Sequence, residues 1–125
     1  MNLAELNTKL RALLTPELGT YNNGALSIWA YGSSNPPPSV SNGLECLIRQ
    51  VPLGYAKSSS AGQKYKIQEW EIYLKNYKKD LNLSKAIIKI EKSFSVIQVV
   101  HMPYSLDTIE QARILIKDPI VFQSF

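Results

Sequence analysis

The 125-residue sequence has one cysteine, Cys46, and one histidine, His101. A single cysteine excludes an intrachain disulfide and makes a reducing compartment the natural expectation. A single histidine cannot build a metal site without several other ligands, and the flanking Val100 and Met102 give His101 a strand setting and a structural role. Arginine is also scarce, with Arg11, Arg49 and Arg113 against eleven lysines. That weakens any case for sequence-specific base reading, because arginine makes the commonest specific contact to bases. The glycines form neither GxGxxG nor a Walker-type phosphate loop. The stretch "SSSAG" precedes no helical pattern that could cradle an anion. No run approaches the roughly 18 apolar residues of a membrane span. The opening "MNLAELNTKLRALL" lacks the apolar stretch of about 7 residues that a signal peptide needs. A soluble, intracellular chain with no membrane partner is expected.

Catalytic constellations are missing too. Cys46 alternates with Leu44 and Ile48, which predicts a buried, inert thiol. Glu69 and Glu71 fall on one strand face about 7 Å apart by strand geometry. That spacing is near the one inverting glycoside hydrolases use, but alternating glutamates are expected on a solvated face. No catalytic residue, no cofactor and no metal ligand is expected, and the chain does not read as an enzyme.

What is present is the patterning of one domain, residues 1–125. Leu3, Leu6, Leu10, Leu13 and Leu14 recur at helical spacing and predict an amphipathic helix over 2–14. "TPELGTYNNG" ends it, and "ALSIWAY" reads as a strand. "GSSNPPPSVSNG" must be a loop, since three prolines remove three backbone donors and hold an extended path. "LECLIRQV" is the next strand, and "PLGYAKSSSAGQ" is a small, polar connector longer than a tight hairpin needs, expected to project from the body. In "KYKIQEWEIYLKNY" the apolar phase changes: Tyr65 and Ile67 on one side, then Trp70, Ile72 and Leu74 on the other. A bulge or bend near Gln68 and Glu69 reconciles the halves. Leu83, Ala86, Ile87, Ile90 and Phe94 predict a second helix over 82–94, capped by Asn82 or Asp80, with Lys85, Lys89 and Lys92 on its outer face. "SVIQVVHM" and "QARILIKD" are two further strands, and "PIVFQSF" is an apolar tail. The class is α+β: a mainly antiparallel sheet of about five strands, an N-terminal helix and a second helix between strands 3 and 4.

The net charge of +4 is uneven. Lysines 57, 64, 66, 75, 78, 79, 85, 89 and 92 face only Glu69, Glu71, Asp80 and Glu91 in the same stretch. Such a basic region suits nucleic acid or an acidic protein surface, although a solvated lysine face is the commoner case. A single-stranded nucleic-acid module would use Trp70, Tyr73 and Tyr77 as stacking groups. Trp70 shares its phase with Ile72 and Leu74, which predicts core, while Tyr73, Lys75 and Tyr77 share the other face.

The order helix, proline-broken loop, "GLECLIRQVP" strand, long loop, "QKYKIQEWEIYLKNY" running into "NLSKAIIKIEKSF", then "QARILIKDP", resembles the tail terminator (tail completion) proteins of tailed bacteriophages, from about residue 2 to 120. The resemblance implies a virion structural protein, a homohexameric ring that caps the tail tube and joins it to the head connector or neck. Its implied partners are further copies of itself, the tail tube protein, the head–tail connector or neck protein, a sheath protein if the tail is contractile, and transient, non-specific contact with DNA. Another neck or tail component, a connector or tube subunit, is the neighbouring alternative. Interface residues expected on this reading are the stiff Pro36, Pro37 and Pro38, the loop residues Lys57, Ser58, Ser59 and Ser60, and Phe122 and Phe125 of the tail. A polyproline segment has little conformational entropy left to lose on docking, but it equally well stiffens a surface crossover.

Overall fold

The computed structural model describes residues 1–31, 35–51, 54–55, 64–103, 109–117 and 121–123. Helix α1 spans Leu3–Leu14, and the side chain of Asn2 caps it by accepting from the Glu5 N–H at 2.8 Å. Glu5 in its first turn and Arg11 in its last complement the helix dipole. Leu6, Leu10 and Leu14 form its fully buried stripe. Strands β1 (Ile28–Ala30), β2 (Leu44–Gln50), β3 (Gly54–Tyr55), β4 (Lys64–Ile67) and β5 (Glu69–Asn76) follow, then helix α2 (Asn82–Ser93), then β6 (Ser95–Met102), β7 (Glu110–Lys117) and β8 (Val121–Gln123).

Five strands form the main sheet in the order β1-β2-β5-β7-β6, and β3, β4 and β8 form a second sheet in the order β3-β4-β8. All pairs in the main sheet are antiparallel except β1 with β2. The fold is therefore α+β, with α2 between the third and fourth strands of the main sheet. The expected break in the long strand falls at Gln68, where the chain leaves the second sheet and enters the first. The two halves pair with different strands, β4 with β3 and β8, β5 with β2 and β7. The expected connector is itself interrupted by Gly54–Tyr55, which pair with Ile67 and Lys66; the remainder of the connector, 52–53 and 56–63, lies outside the described residues.

Both helices lie on one face of the main sheet. Strand alternation puts Cys46, Ile48, Trp70, Ile72, Leu74, Ala112, Ile114 and Ile116 on that side, where they pack with Leu6, Leu10, Leu14, Leu83, Ala86 and Ile90 in one cluster. Trp70 is completely buried, as its phase requires. Asp80 serves the start of α2: its Oδ1 accepts from the Asn82 N–H at 3.0 Å and from Asn76 Nδ2 at 2.8 Å. One lysine departs from expectation. Lys89 does not sit on a free outer face of α2; its Nζ reaches the buried carboxylate of Glu17 at 2.7 Å and ties the helix to the segment after α1.

Candidate functional site

Among the described residues, the other face of the main sheet carries no helix. By register, one row across it reads Leu47, Tyr73, Arg113 and Val100, the next reads Arg49, Glu71, Leu115 and Gln98, and a third reads Glu45, Lys75, Gln111 and Met102. Glu71 is the centre. It is 4% exposed, so the alternating glutamates do not both lie on a solvated face. The reason is a set of partners distant in sequence: Arg113 Nε donates to its Oε2 at 2.9 Å, Tyr73 Oη donates to the same oxygen at 2.6 Å, and Arg49 Nη2 donates to Oε1. A buried carboxylate survives only with such partners. Arg113 above all, with Tyr73 and Arg49 adding against the cost of burial, holds the Glu71 carboxyl down at about 2.

Two guanidiniums around one carboxylate leave one positive charge in excess. Arg113 Nη1 also donates to Gln98 Oε1 at 3.5 Å, yet Arg49 is half-exposed and Arg113 one-third exposed, so both guanidiniums still meet solvent. Beside them the face is aliphatic. Val100 and Met102 are exposed, Leu115 is half-buried, and Ile97 stands out at the bulge where β6 slips against β7. Among the described residues β6 is also an edge strand, its eight residues without lysine, arginine, acid or proline, the side chains that usually guard an edge.

The β1–β2 end of this face is covered. Glu45 and Leu47 are buried there, Trp29 lies beside Leu47, and the ring of Tyr21 meets Trp29 edge-on at 6.2 Å. Burial, and then the charge of Glu45, raises the hydroxyl pKa of Tyr77; burial and Glu45 do the same for Tyr21. The proline segment belongs to this cover. Trp29 Nε1 donates to the Asn35 carbonyl at 3.1 Å, and the Ser39 hydroxyl accepts from the Asn22 N–H at 2.9 Å. Farther on, Ser41 and Ser27 hydroxyls meet at 2.6 Å and Asn42 Oδ1 accepts from the Thr20 N–H at 2.8 Å. Gly19 sits against this loop so closely that a Cβ there would come within 2.7 Å of Gly43 N, so only glycine fits. Pro36, Pro37 and Pro38 thus bridge two anchored points, with Pro37 half-buried and the other two exposed.

Of the other expected interface residues, Phe122 lies in β8, opposite Tyr65 of β4. Lys57, Ser58, Ser59, Ser60 and Phe125 lie outside the described residues. Cys46 is fully buried and its thiol is pushed up to about 12 by that burial, as an inert core cysteine should be. His101 is exposed rather than packed away, and its Nε2 lies 3.5 Å from Glu110 Oε2. Among the described residues no group of three or more histidine, cysteine, aspartate or glutamate side chains is placed to hold a metal ion, and no helix is long and apolar enough to cross a membrane. The Arg49–Glu71–Arg113 cluster escaped the sequence reading. The signal available was arginine at two outward strand positions, which gains meaning only once register places both beside Glu71. No protein-family model matches this sequence, and a search of curated proteins finds no match.

Proposed function

We propose that this chain is a ring-forming structural protein of a bacteriophage tail, of tail terminator type, which caps the tail tube and joins it to the head connector or neck. The observation that carries the reading is the order of elements around the main sheet. β2 is followed by a two-strand excursion with its own small sheet, then by β5, which leads into the amphipathic α2, and then by the closing antiparallel pair β6–β7. Tail terminators are similar to this order. On this reading Lys57, Ser58, Ser59 and Ser60 contact a neighbour or the tube, and Pro36, Pro37 and Pro38 present a rigid edge. Copies meet by heterologous contacts, which close into rings when the rotation fits. The partners are further copies, the tube protein and the connector, with a sheath protein added if the tail is contractile.

Negative-stain imaging of the concentrated protein, together with a solution mass measurement, tests the proposal. Closed rings of six are expected. A mass that stays monomeric at high concentration overturns it, and long tubes assign the chain to the tube instead.

A further inference from the structure

We infer that the open face of the main sheet is a docking site for an acidic, aliphatic segment of another protein, with a carboxylate received between Arg49 and Arg113 and an apolar side chain laid against Val100. This does not rest on the ring reading, since it uses only residues of one copy.

Charge complementarity is the first support. Glu71 holds both guanidiniums, and Gln98 Oε1 accepts from Arg113 Nη1 at 3.5 Å, so two part-exposed cations stand on either side of one carboxylate with a net positive charge. A preorganised fork of this kind suits a carboxylate, because little side-chain freedom is left to lose on binding. The second support is what surrounds the fork. Val100 is the direct cross-strand neighbour of Arg113, and Met102 and Leu115 flank them. Arginine, tyrosine and methionine beside aliphatic side chains are the composition of a protein-binding patch. A phosphodiester backbone fits less well. Glu69 and Glu71 share a face of β5 with its one cation, Lys75, and the Tyr73 hydroxyl is held by Glu71, which keeps that ring on the sheet.

The probes are a fluorescein-labelled ten-residue peptide alternating valine with glutamate, its lysine counterpart, and a ten-nucleotide single strand, each titrated by anisotropy against the full chain. Saturable binding of the glutamate peptide, weakened by salt, is expected. It should weaken by about tenfold or more in Arg49→Gln and in Val100→Glu. Val100 is exposed and outside the ion cluster, so that variant stays informative if Arg49→Gln fails to fold. Equal binding of both peptides, no saturable binding of the glutamate peptide, or binding that both variants leave unchanged overturns the inference. So does an oligonucleotide that binds more tightly than the peptide and is lost in Arg49→Gln. A monomer that still takes the glutamate peptide refutes the ring and keeps the site.

Discussion

At the scale of single residues, the buried carboxylate of Glu71 shapes the acid response of the fold. Its pKa in the folded protein, about 2, lies below the ordinary carboxylate range because Arg113, Tyr73 and Arg49 favour the charged form. On acidification the unfolded chain therefore takes up this proton first, and folding stability falls. The contribution is complete above about pH 5 and is lost progressively toward pH 2. Its size is on the order of 2 kcal/mol, less than the full shift would give, because Arg49 is half-exposed and screened by solvent. Glu71→Gln should lower the unfolding free energy at pH 7 by a similar amount, and the gap to the natural chain should narrow as pH drops through that window. Urea midpoints at pH 7, 4 and 2.5 measure it. A gap that stays constant with pH contradicts the assignment of this group. None of this was legible in the sequence: glutamate alternating with glutamate looks solvated, and Arg49 and Arg113 stand 22 and 42 residues away from Glu71. Only strand register brings them together.

Elements were easier to read, because each helix must bury a stripe with period 3.6 and each half-buried strand alternates with period 2. In α2, Leu83, Ala86, Ile87 and Ile90 are buried while Ile88 is half-exposed. Ile90→Ala should therefore cost about 3 kcal/mol of stability through lost burial and a residual cavity. Ile88→Ala, on the same helix, should cost under about 0.5 kcal/mol. Thermal or denaturant unfolding of the two variants checks this, and equal losses mean the helix is rotated from its assigned face. The break at Gln68 was legible because the apolar alternation of the sequence changes phase there, where the chain passes from one sheet to the other. Gly54–Tyr55 was not, since a two-residue strand is defined by its partners Ile67 and Lys66 rather than by its own pattern. Nor was the parallel pairing of β1 with β2, which depends on how the anchored proline loop returns the chain. Lys89 was misread because its partner, Glu17, is 72 residues distant.

At the scale of the whole molecule, the question is what an excess of lysine does. The charge of +4 is concentrated in residues 57–92, which contain nine lysines and no arginine. Lysine is a flexible, strongly hydrated point charge without the bidentate fork that fixes a phosphate or a base edge. Lys85 and Lys92 are exposed, whereas Lys89 is neutralised by Glu17 and Lys75 is half-buried on the open face. The Tyr73 hydroxyl is committed to Glu71, and Trp70 is completely buried, so two of the three aromatic groups that could stack on bases are held elsewhere. A surface of this kind holds DNA by diffuse attraction, which suits a ring through which a genome must pass without sticking. Binding should be weak, blind to sequence, and similar for single and double strands. If about four phosphates are contacted, affinity should fall about 100-fold between roughly 50 and 200 mM salt, because condensed counterions are released on binding. Anisotropy titrations with labelled single- and double-stranded oligonucleotides at those two salt concentrations measure this. A stacking platform predicts the reverse: tight single-strand binding that survives the higher salt and disappears in Tyr77→Ala. That result would replace the tail-ring reading with a nucleic-acid-binding module.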